Sequence, residues 1–276
     1  MSPTAAVIQM TSGESVADNL ATAGRLLSEA RDRGAALALL PENFALMPRH
    51  DGARRAAAET EGEGPIQEFL AATAARLGMW IVGGTIPVRV AGDSRPAACC
   101  LVFDAEGRCV TRYDKIHLFD VDLPGRDERY RESDHFTPGR EIVAVDTPIG
   151  RLGLLVCYDL RFPEIFRRLL DAGAEVFTVP AAFTAPTGRA HWEVLLRARA
   201  VENLAFVLAA AQSGVHANGR ETYGDSLIVD PWGRVLARRP RGEGVVVAPI
   251  DREAQAATRV SFPCLQNRVL TRSATC

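Results

Sequence analysis

The chain has 276 residues, 47% of them hydrophobic and 24% charged, a balance that excludes wholesale disorder. Its 32 basic and 34 acidic residues leave a net charge of −2, which gives no electrostatic basis for nucleic acid or an anionic membrane as the main partner. No window approaches ~18 uninterrupted apolar residues, so no transmembrane helix is read. Met1-Ser2-Pro3-Thr4 has no basic region ahead of an apolar one, so the expected compartment is the cytoplasm.

Thr4 to Met10 reads as a first strand. Ser15 to Arg33 carries Val16, Leu20, Ala23, Leu26, Leu27 and Ala30 at helical spacing and is closed by Gly34. Ala35 to Leu40 is a short apolar strand stopped by Pro41. Pro65 to Leu77 reads as a helix, with proline in its first turn and Gly78 just past its end. Met79 to Val88 reads as one buried strand in which Gly83-Gly84 marks a close backbone approach. Ala97 to Phe103 and Cys109 to Tyr113 flank a hairpin signal at 104–107; Ile142 to Asp146 and Arg151 to Cys157 flank a second at 147–150. Then follow a helix over Phe162 to Gly173, a strand over Glu175 to Pro180, a helix over Ala190 to Asn203 and a strand over Ala205 to Gln212. Strands over Asp225 to Asp230, Arg234 to Arg238 and Gly244 to Ile250 precede a short helix over Asp251 to Arg259. The polar stretch Asp120 to Arg140 is too long for a plain connector, which points to a functional loop. Hairpins mixed with strand–helix units suggest two sheets between helices in one domain, although an ordinary doubly wound fold fits the composition equally well.

Six cysteines, Cys99, Cys100, Cys109, Cys157, Cys264 and Cys276, include no C-x-x-C pair and no histidine at a metal-site offset, so no zinc site is expected. Cys99, Cys100 and Cys109 read as small buried hydrophobes in strands, and Cys276 is terminal. Of the 32 basic residues, 31 are arginine and one is Lys115. Arginine replaces lysine on a solvated surface but not where a compact, titratable amine is needed, so the lone lysine is informative.

Three segments carry the chemistry. In Leu39-Leu-Pro-Glu42-Asn-Phe44 an apolar strand ends and a glutamate follows, at the kind of strand end where α/β folds place reactive groups. Glu42 reads either as such a group or as a solvated loop carboxylate. In Arg112-Tyr-Asp-Lys115-Ile-His117-Leu-Phe119 the lone lysine follows a strand, with a surface role as the alternative; His117 shares its face as a weaker candidate, and His191 reads as starting a helix, where it packs or caps. In Gly153-Leu-Leu-Val-Cys157-Tyr158-Asp-Leu-Arg161-Phe-Pro-Glu164 a buried strand runs into a cysteine and then a helix opened by Pro163. A thiol held near a helix N-terminus is favoured as thiolate, against the alternative of a buried structural cysteine.

These segments, in this order, resemble the three signatures of the carbon–nitrogen hydrolase (nitrilase) superfamily, and the likeness runs from about Ala6 to Asn267. Within it the chain is most similar to the Nit branch of amidases, through Leu118 to Gly125, Ala190 to Ala200, Thr222-Tyr-Gly224 and Val229 to Gly233. The resemblance implies a four-layer α-β-β-α sandwich, a single domain over 1–276, and a Glu–Lys–Cys triad. Cys157 would be the nucleophile and Glu42 the base that takes its proton and returns it to the leaving nitrogen. Lys115 would stabilise the oxyanion together with the Tyr158 backbone N–H, and Glu132, in a Glu-Ser context, would orient Lys115 or the substrate. Tyr158-Asp159 after the nucleophile looks like the amidase rather than the nitrilase pattern.

The activity so implied is hydrolysis of a small carboxylate-bearing amide with no cofactor and no metal. Deaminated glutathione is the first candidate; the alternatives are 2-oxoglutaramate or 2-oxosuccinamate, or an N-carbamoyl amino acid. A catalytically idle interaction scaffold is the reading of a different class. Arg161 is a candidate to bind a substrate carboxylate or to form a salt bridge holding the turn, and Phe44 and Phe183 either line the pocket or pack in the core. Asp225 stands where relatives more often show histidine. The resemblance also implies a homodimer or higher homo-oligomer, with residues 251–276 as a C-terminal extension at the interface.

Overall fold

The computed structural model describes residues 2–50, 52–122 and 128–269. Cys276, part of the 118–125 stretch and the end of the 251–276 extension lie outside the described residues. Strand β1 (Thr4–Gln9) leads through helix α1 (Val16–Asp32) to β2 (Ala35–Leu39). A short helix α2 (Gly52–Ala56) and α3 (Pro65–Leu77) precede β3 (Trp80–Val82), β4 (Ile86–Val88), β5 (Ala97–Phe103) and β6 (Cys109–Asp114). The Asp120–Arg140 stretch holds a small hairpin, β7 (Asp120–Asp122) and β8 (Arg129–Arg131), and a 3-10 turn, Glu132–Asp134. The second half runs β9 (Ala144–Thr147), β10 (Gly150–Leu154), a 3-10 turn at Cys157–Arg161, α4 (Pro163–Asp171), β11 (Val176–Ala181), α5 (Ala185–Asn203) and β12 (Phe206–Ala211). It closes with a hairpin of β13 (Ser213–Val215) and β14 (Glu221–Tyr223), then β15 (Ser226–Val229), β16 (Val235–Arg239), β17 (Gly244–Pro249) and α6 (Arg252–Ser261).

Two sheets result. The first runs β17-β1-β2-β3-β5, with β4 beside β5 beyond β3 and β6 on the opposite edge of β5; the second runs β16-β15-β12-β11-β10-β9. At the centre of each the strands are parallel: β1, β2 and β3 in one, β10, β11 and β12 in the other. Such strands are covered on both faces, which is why they read as continuous apolar runs. The period-two alternation still sorts their side chains. Ala5, Val7, Leu37 and Leu39 enter the core that contains the second sheet, while Ala6, Ile8, Ala38 and Leu40 pack with Leu26, Leu27 and Leu70 of α1 and α3. Phe166 and Leu169 of α4 and Trp192 and Leu196 of α5 cover the second sheet. The layers are therefore α-β-β-α.

The helix ends follow their sequence signals. Ser15 caps α1 through the Asp18 N–H, and α3 has Pro65 in its first turn and left-handed Gly78 after its last. Three expectations need correction. Met79 to Val88 is two strands, because Gly84 adopts a φ of +55° and breaks the ladder against β5. Helix α5 begins at Ala185, five residues before the expected start at Ala190; Pro186 is an N-terminal signal, and Gly188 lies inside the helix because the Tyr223 ring occupies the place of a Cβ. His191 accordingly sits within the helix rather than at its start. Cys99 and Cys100 are buried as expected, but Cys109 is exposed.

Candidate active site

Glu42 lies three residues past β2, and its backbone is held on three sides. The Gly84 backbone packs against the Pro41 carbonyl, where any side chain would collide. The Asn43 N–H donates to Thr85 Oγ1 at 2.9 Å, and Gln212 Nε2 donates to the Glu42 carbonyl at 3.0 Å. Asn43 has a φ of +55°, which turns the chain so that Phe44 enters the core with Ala45 and Ile66. Phe44 is therefore a core residue and not a pocket residue; Asn43 borders the cleft in its place.

Lys115 follows β6 directly. Its N–H donates to Ala98 and its carbonyl accepts from Gly139, so the backbone is bonded on both sides. The ammonium is 1% exposed, and its three donors reach Glu42 Oε1 at 2.7 Å and Glu132 Oε1 and Oε2 at 2.9 and 2.8 Å. Glu132 is fixed in turn by the Phe119 N–H, which donates to Oε2 at 2.6 Å. The Ala182 N–H, just past β11, donates to Glu42 Oε2 at 2.8 Å.

Cys157 opens the turn between β10 and α4, with a φ of +48° that is strained for any residue but glycine. Its buried thiol lies within electrostatic reach of the Glu42 carboxylate, the Lys115 ammonium and the Ala182 N–H. Tyr158 is in the first turn of the 3-10 segment, where backbone N–H groups have no intrahelical acceptor. Asp159, fully buried, holds the turn. It accepts from Tyr113 Oη at 2.6 Å, the Val156 N–H at 2.8 Å and the His117 N–H at 3.1 Å, and pairs with His117 Nδ1 at 2.7 Å. His117 also stacks on Phe162, with ring centroids 3.7 Å apart. It serves this clasp rather than facing the thiol.

The electrostatics follow from burial and one cation. Burial alone would raise the Glu42 carboxyl, but the charge and hydrogen bond of Lys115 outweigh it and hold the group below the usual carboxylate range. Burial would lower Lys115, but Glu132 and Glu42 push it up. Burial and then the Glu42 charge push the Cys157 thiol well above its ordinary value, against the smaller pull of Lys115. The resting sulfur is thus a protonated thiol. The expected thiolate is not favoured, because burial penalises a charged sulfur and the Glu42 charge outweighs the pull of Lys115.

These groups sit at the base of a cleft of about 870 Å³. Its walls include Phe119, Tyr130, Tyr158 and Phe183, together with Arg161 and Arg220. Arg161 lies over Phe183 at 5.2 Å and Tyr158 at 5.9 Å, and its Nη1 meets His191 Nδ1 at 3.2 Å. It forms no salt bridge holding the turn: among the described residues neither Arg161 nor Arg220 pairs with a carboxylate. Arg220 stacks on Tyr130 at 5.1 Å and donates from Nη2 to the Ala182 carbonyl. Asp225, with a φ of +65°, is outside this cleft; it binds Arg238, and its carbonyl accepts from Trp192 Nε1 at 2.8 Å. Among the described residues no cluster of three or more His, Cys, Asp and Glu side chains is placed to hold a metal ion, and no helix is long and apolar enough to cross a membrane.

Sequence reasoning missed Asp159 as a structural clasp and missed Arg220. The latter had a signal: Asn218-Gly219 between two short strand-forming runs marks a hairpin.

The fold and the Glu42–Lys115–Cys157 cluster define a class, and residues 4–260 match the carbon–nitrogen hydrolase family model. The chain belongs to that family and is a hydrolase acting on carbon–nitrogen bonds other than peptide bonds. It is 42% identical over 264 residues to the deaminated glutathione amidase of Yersinia enterocolitica, covering 95% of this chain and 91% of that one. The C. elegans NitFhit crystal structure superposes with a TM-score of 0.89 at 36% identity, covering 98% of this chain and 66% of that longer one. An amidase from Nesterenkonia sp. AN1, solved as a mutant with acrylamide added at its active-site cysteine, superposes at 0.78 with 25% identity, covering 96% of this chain and 99% of that one.

Proposed function

We propose that this hydrolase cleaves a small carboxylate-bearing amide, deaminated glutathione first among them, through a thioester on Cys157. The observation that carries the reading is the meeting of the Cys157 thiol, the Glu42 carboxylate and the Lys115 ammonium beneath two guanidinium groups that have no carboxylate partner among the described residues. The relatives named deaminated glutathione amidase support the choice of substrate.

In this mechanism the sulfur attacks the amide carbon while its proton passes to Glu42, whose charge already acts on the thiol. The oxyanion forms against Lys115 Nζ and the Tyr158 N–H. Glu42 then hands its proton to the nitrogen, the C–N bond breaks, and the amine leaves a thioester. Water attacks the thioester with Glu42 as base, releasing the acid and restoring the thiol. Glu132 holds Lys115 at its post, and Arg161, over Phe183, receives a substrate carboxylate.

The test is release of free amine or ammonia from deaminated glutathione, 2-oxoglutaramate, an N-carbamoyl amino acid and a simple nitrile. Deaminated glutathione is expected to have the highest kcat/KM. A preference for 2-oxoglutaramate would replace this substrate with the omega-amidase one, and no turnover of any would support the idle scaffold.

The same reading takes the chain as a single domain working in the cytoplasm as a homodimer or higher homo-oligomer. Support for association comes from apolar surface near the C-terminal segment: Val260 is 80% exposed, and Trp232 and Phe262, both exposed, meet edge to face with ring centroids 5.6 Å apart. Light scattering that gives only a ~30 kDa species at micromolar concentration would refute it.

A further inference from the structure

The backbone of Ala182 faces two ways. Its N–H donates to Glu42 Oε2, and its carbonyl accepts from Arg220 Nη2. Arg220 is thereby fixed on the side of the sulfur where Glu42 stands, whereas Arg161 stands on the nucleophile's own turn. In the proposed reaction Glu42 delivers a proton to the leaving nitrogen, so the Glu42 side is the leaving-group side.

Arg220 is held by a braced hairpin. Gly219, with a φ of +80°, closes the turn with an N–H donated to the His216 carbonyl at 2.8 Å. His216 ties the hairpin to the body through Ser12 at 2.9 Å and to its own second strand through Thr222 at 2.7 Å, and the Tyr223 N–H reaches the Phe183 carbonyl at 2.9 Å. The guanidinium stacks on Tyr130, and its buried Nε has no hydrogen-bond partner. A charged group held this firmly, near enough to act on the Glu42 charge but with donors left over and no carboxylate within ion-pair distance among the described residues, is arranged for an anion from outside.

We infer that Arg220 is a specificity-determining residue that takes a carboxylate on the leaving-group side of the scissile amide, so that the cleft selects amides carrying a carboxylate on each side of that bond. This rests on the proposed amidase reading and deepens it. Deaminated glutathione has this pattern, with a 2-oxo acid on the acyl side and a glycine carboxylate on the amine side.

The test compares deaminated glutathione with the same molecule amidated at its glycine terminus, in wild type, Arg220→Gln and Arg161→Gln. Wild type is expected to prefer the acid by roughly ten- to a hundredfold in kcat/KM, mostly through KM, the range of one charge-assisted hydrogen bond. That preference should collapse toward unity in Arg220→Gln and persist in Arg161→Gln. A wild type indifferent to amidation, or an Arg220→Gln enzyme that keeps the preference, overturns the inference and leaves the proposed substrate standing.

A second readout does not depend on turnover. Alanylglycine and alanylglycinamide, as mimics of the leaving group, are scored for slowing iodoacetamide labelling of Cys157. The acid should protect at several-fold lower concentration than the amide in wild type, and the two should be equal in Arg220→Gln with an unchanged Tm. Equal protection in wild type overturns the assignment whatever the true substrate is. Unequal protection together with failure to cleave deaminated glutathione upholds the anchor and sinks the substrate.

Discussion

The phenol of Tyr113 donates to the carboxylate of Asp159 at 2.6 Å, and that bond joins the strand end that bears Lys115 to the turn that bears Cys157. His117, two residues on the other side of Lys115, grips the same carboxylate with its N–H and its ring. The lysine is thus flanked on both sides by groups bonded to a residue two positions from the cysteine. The spacing of oxyanion donor and nucleophile is set by this clasp between the two halves of the sandwich.

Asp159→Asn should therefore lower activity without touching the reacting atoms. The amide keeps the shape but meets a set of donors with one of its own. A kcat loss of about a hundredfold is expected from a small misplacement of the two groups, with stability reduced by at least about 1.5–3 kcal/mol. Tyr113→Phe removes one of the bonds and should show a smaller loss of both. Steady-state kinetics and urea unfolding check this; a fully active Asp159→Asn enzyme would show that the clasp is decorative.

Cys157→Ala should abolish turnover and leave the fold intact. Cys157→Gly should be equally inactive yet more stable than Cys157→Ala, by up to about 1 kcal/mol, because glycine relieves the left-handed backbone at φ +48°. Thermal unfolding of the two variants side by side decides the matter, and an alanine variant as stable as the glycine one would deny strain at the nucleophile.

Lys115→Arg keeps the charge in a chain that otherwise uses arginine for every cation. All three ammonium donors are engaged within 2.9 Å at a site 1% exposed, so a planar guanidinium has neither the room nor the geometry. We expect kcat to fall by at least about 10²–10³-fold, with a stability loss of roughly 1–3 kcal/mol from overpacking. Retention of more than about a tenth of kcat would show that only generic positive charge is needed.

The pH dependence has a definite sign at both ends. Glu42 is held below its ordinary value, so its contribution to stability is present above the unfolded carboxylate value and is lost as pH falls through the folded one. Cys157 is raised, so its contribution is full below the ordinary thiol value of about 8.5 and is lost as pH rises beyond it. Wild type should lose Tm more steeply than Cys157→Ala above about pH 9. Iodoacetamide labelling of the Cys157 peptide in the free enzyme should still be accelerating there. A labelling rate that plateaus near about pH 6–7, below the ordinary thiol range, would mean a resting thiolate and would contradict this account.

Much of the fold was legible because it is local. Ser15, Pro65 and Gly78 mark helix ends by their own capping chemistry, and the central strands announce themselves as apolar runs. Glu42, Lys115 and Cys157 stood out because each follows a strand and one is the sole lysine. What escaped depended on distant partners. Gly188 looks like a helix breaker until Tyr223 is seen to need its missing side chain. Phe44 reads as either a pocket or a core residue until the turn at Asn43 is seen to carry it inward. The state of the sulfur was misjudged because burial, which depends on distant packing, penalises a charged sulfur, and the Glu42 charge outweighs the neighbouring cation.

That last feature bears on survival as much as on catalysis. Peroxide and other oxidants react with thiolates, and sulfenic acid formation opens the path to irreversible loss. A nucleophile stored as a thiol beside an excess negative charge presents such oxidants with a poor target. It becomes nucleophilic only when an electrophilic carbonyl draws the proton across to Glu42. The arrangement of Glu42, Glu132 and Lys115 is then also a safety catch, one that lets an indispensable sulfur sit at the base of an open cleft between turnovers.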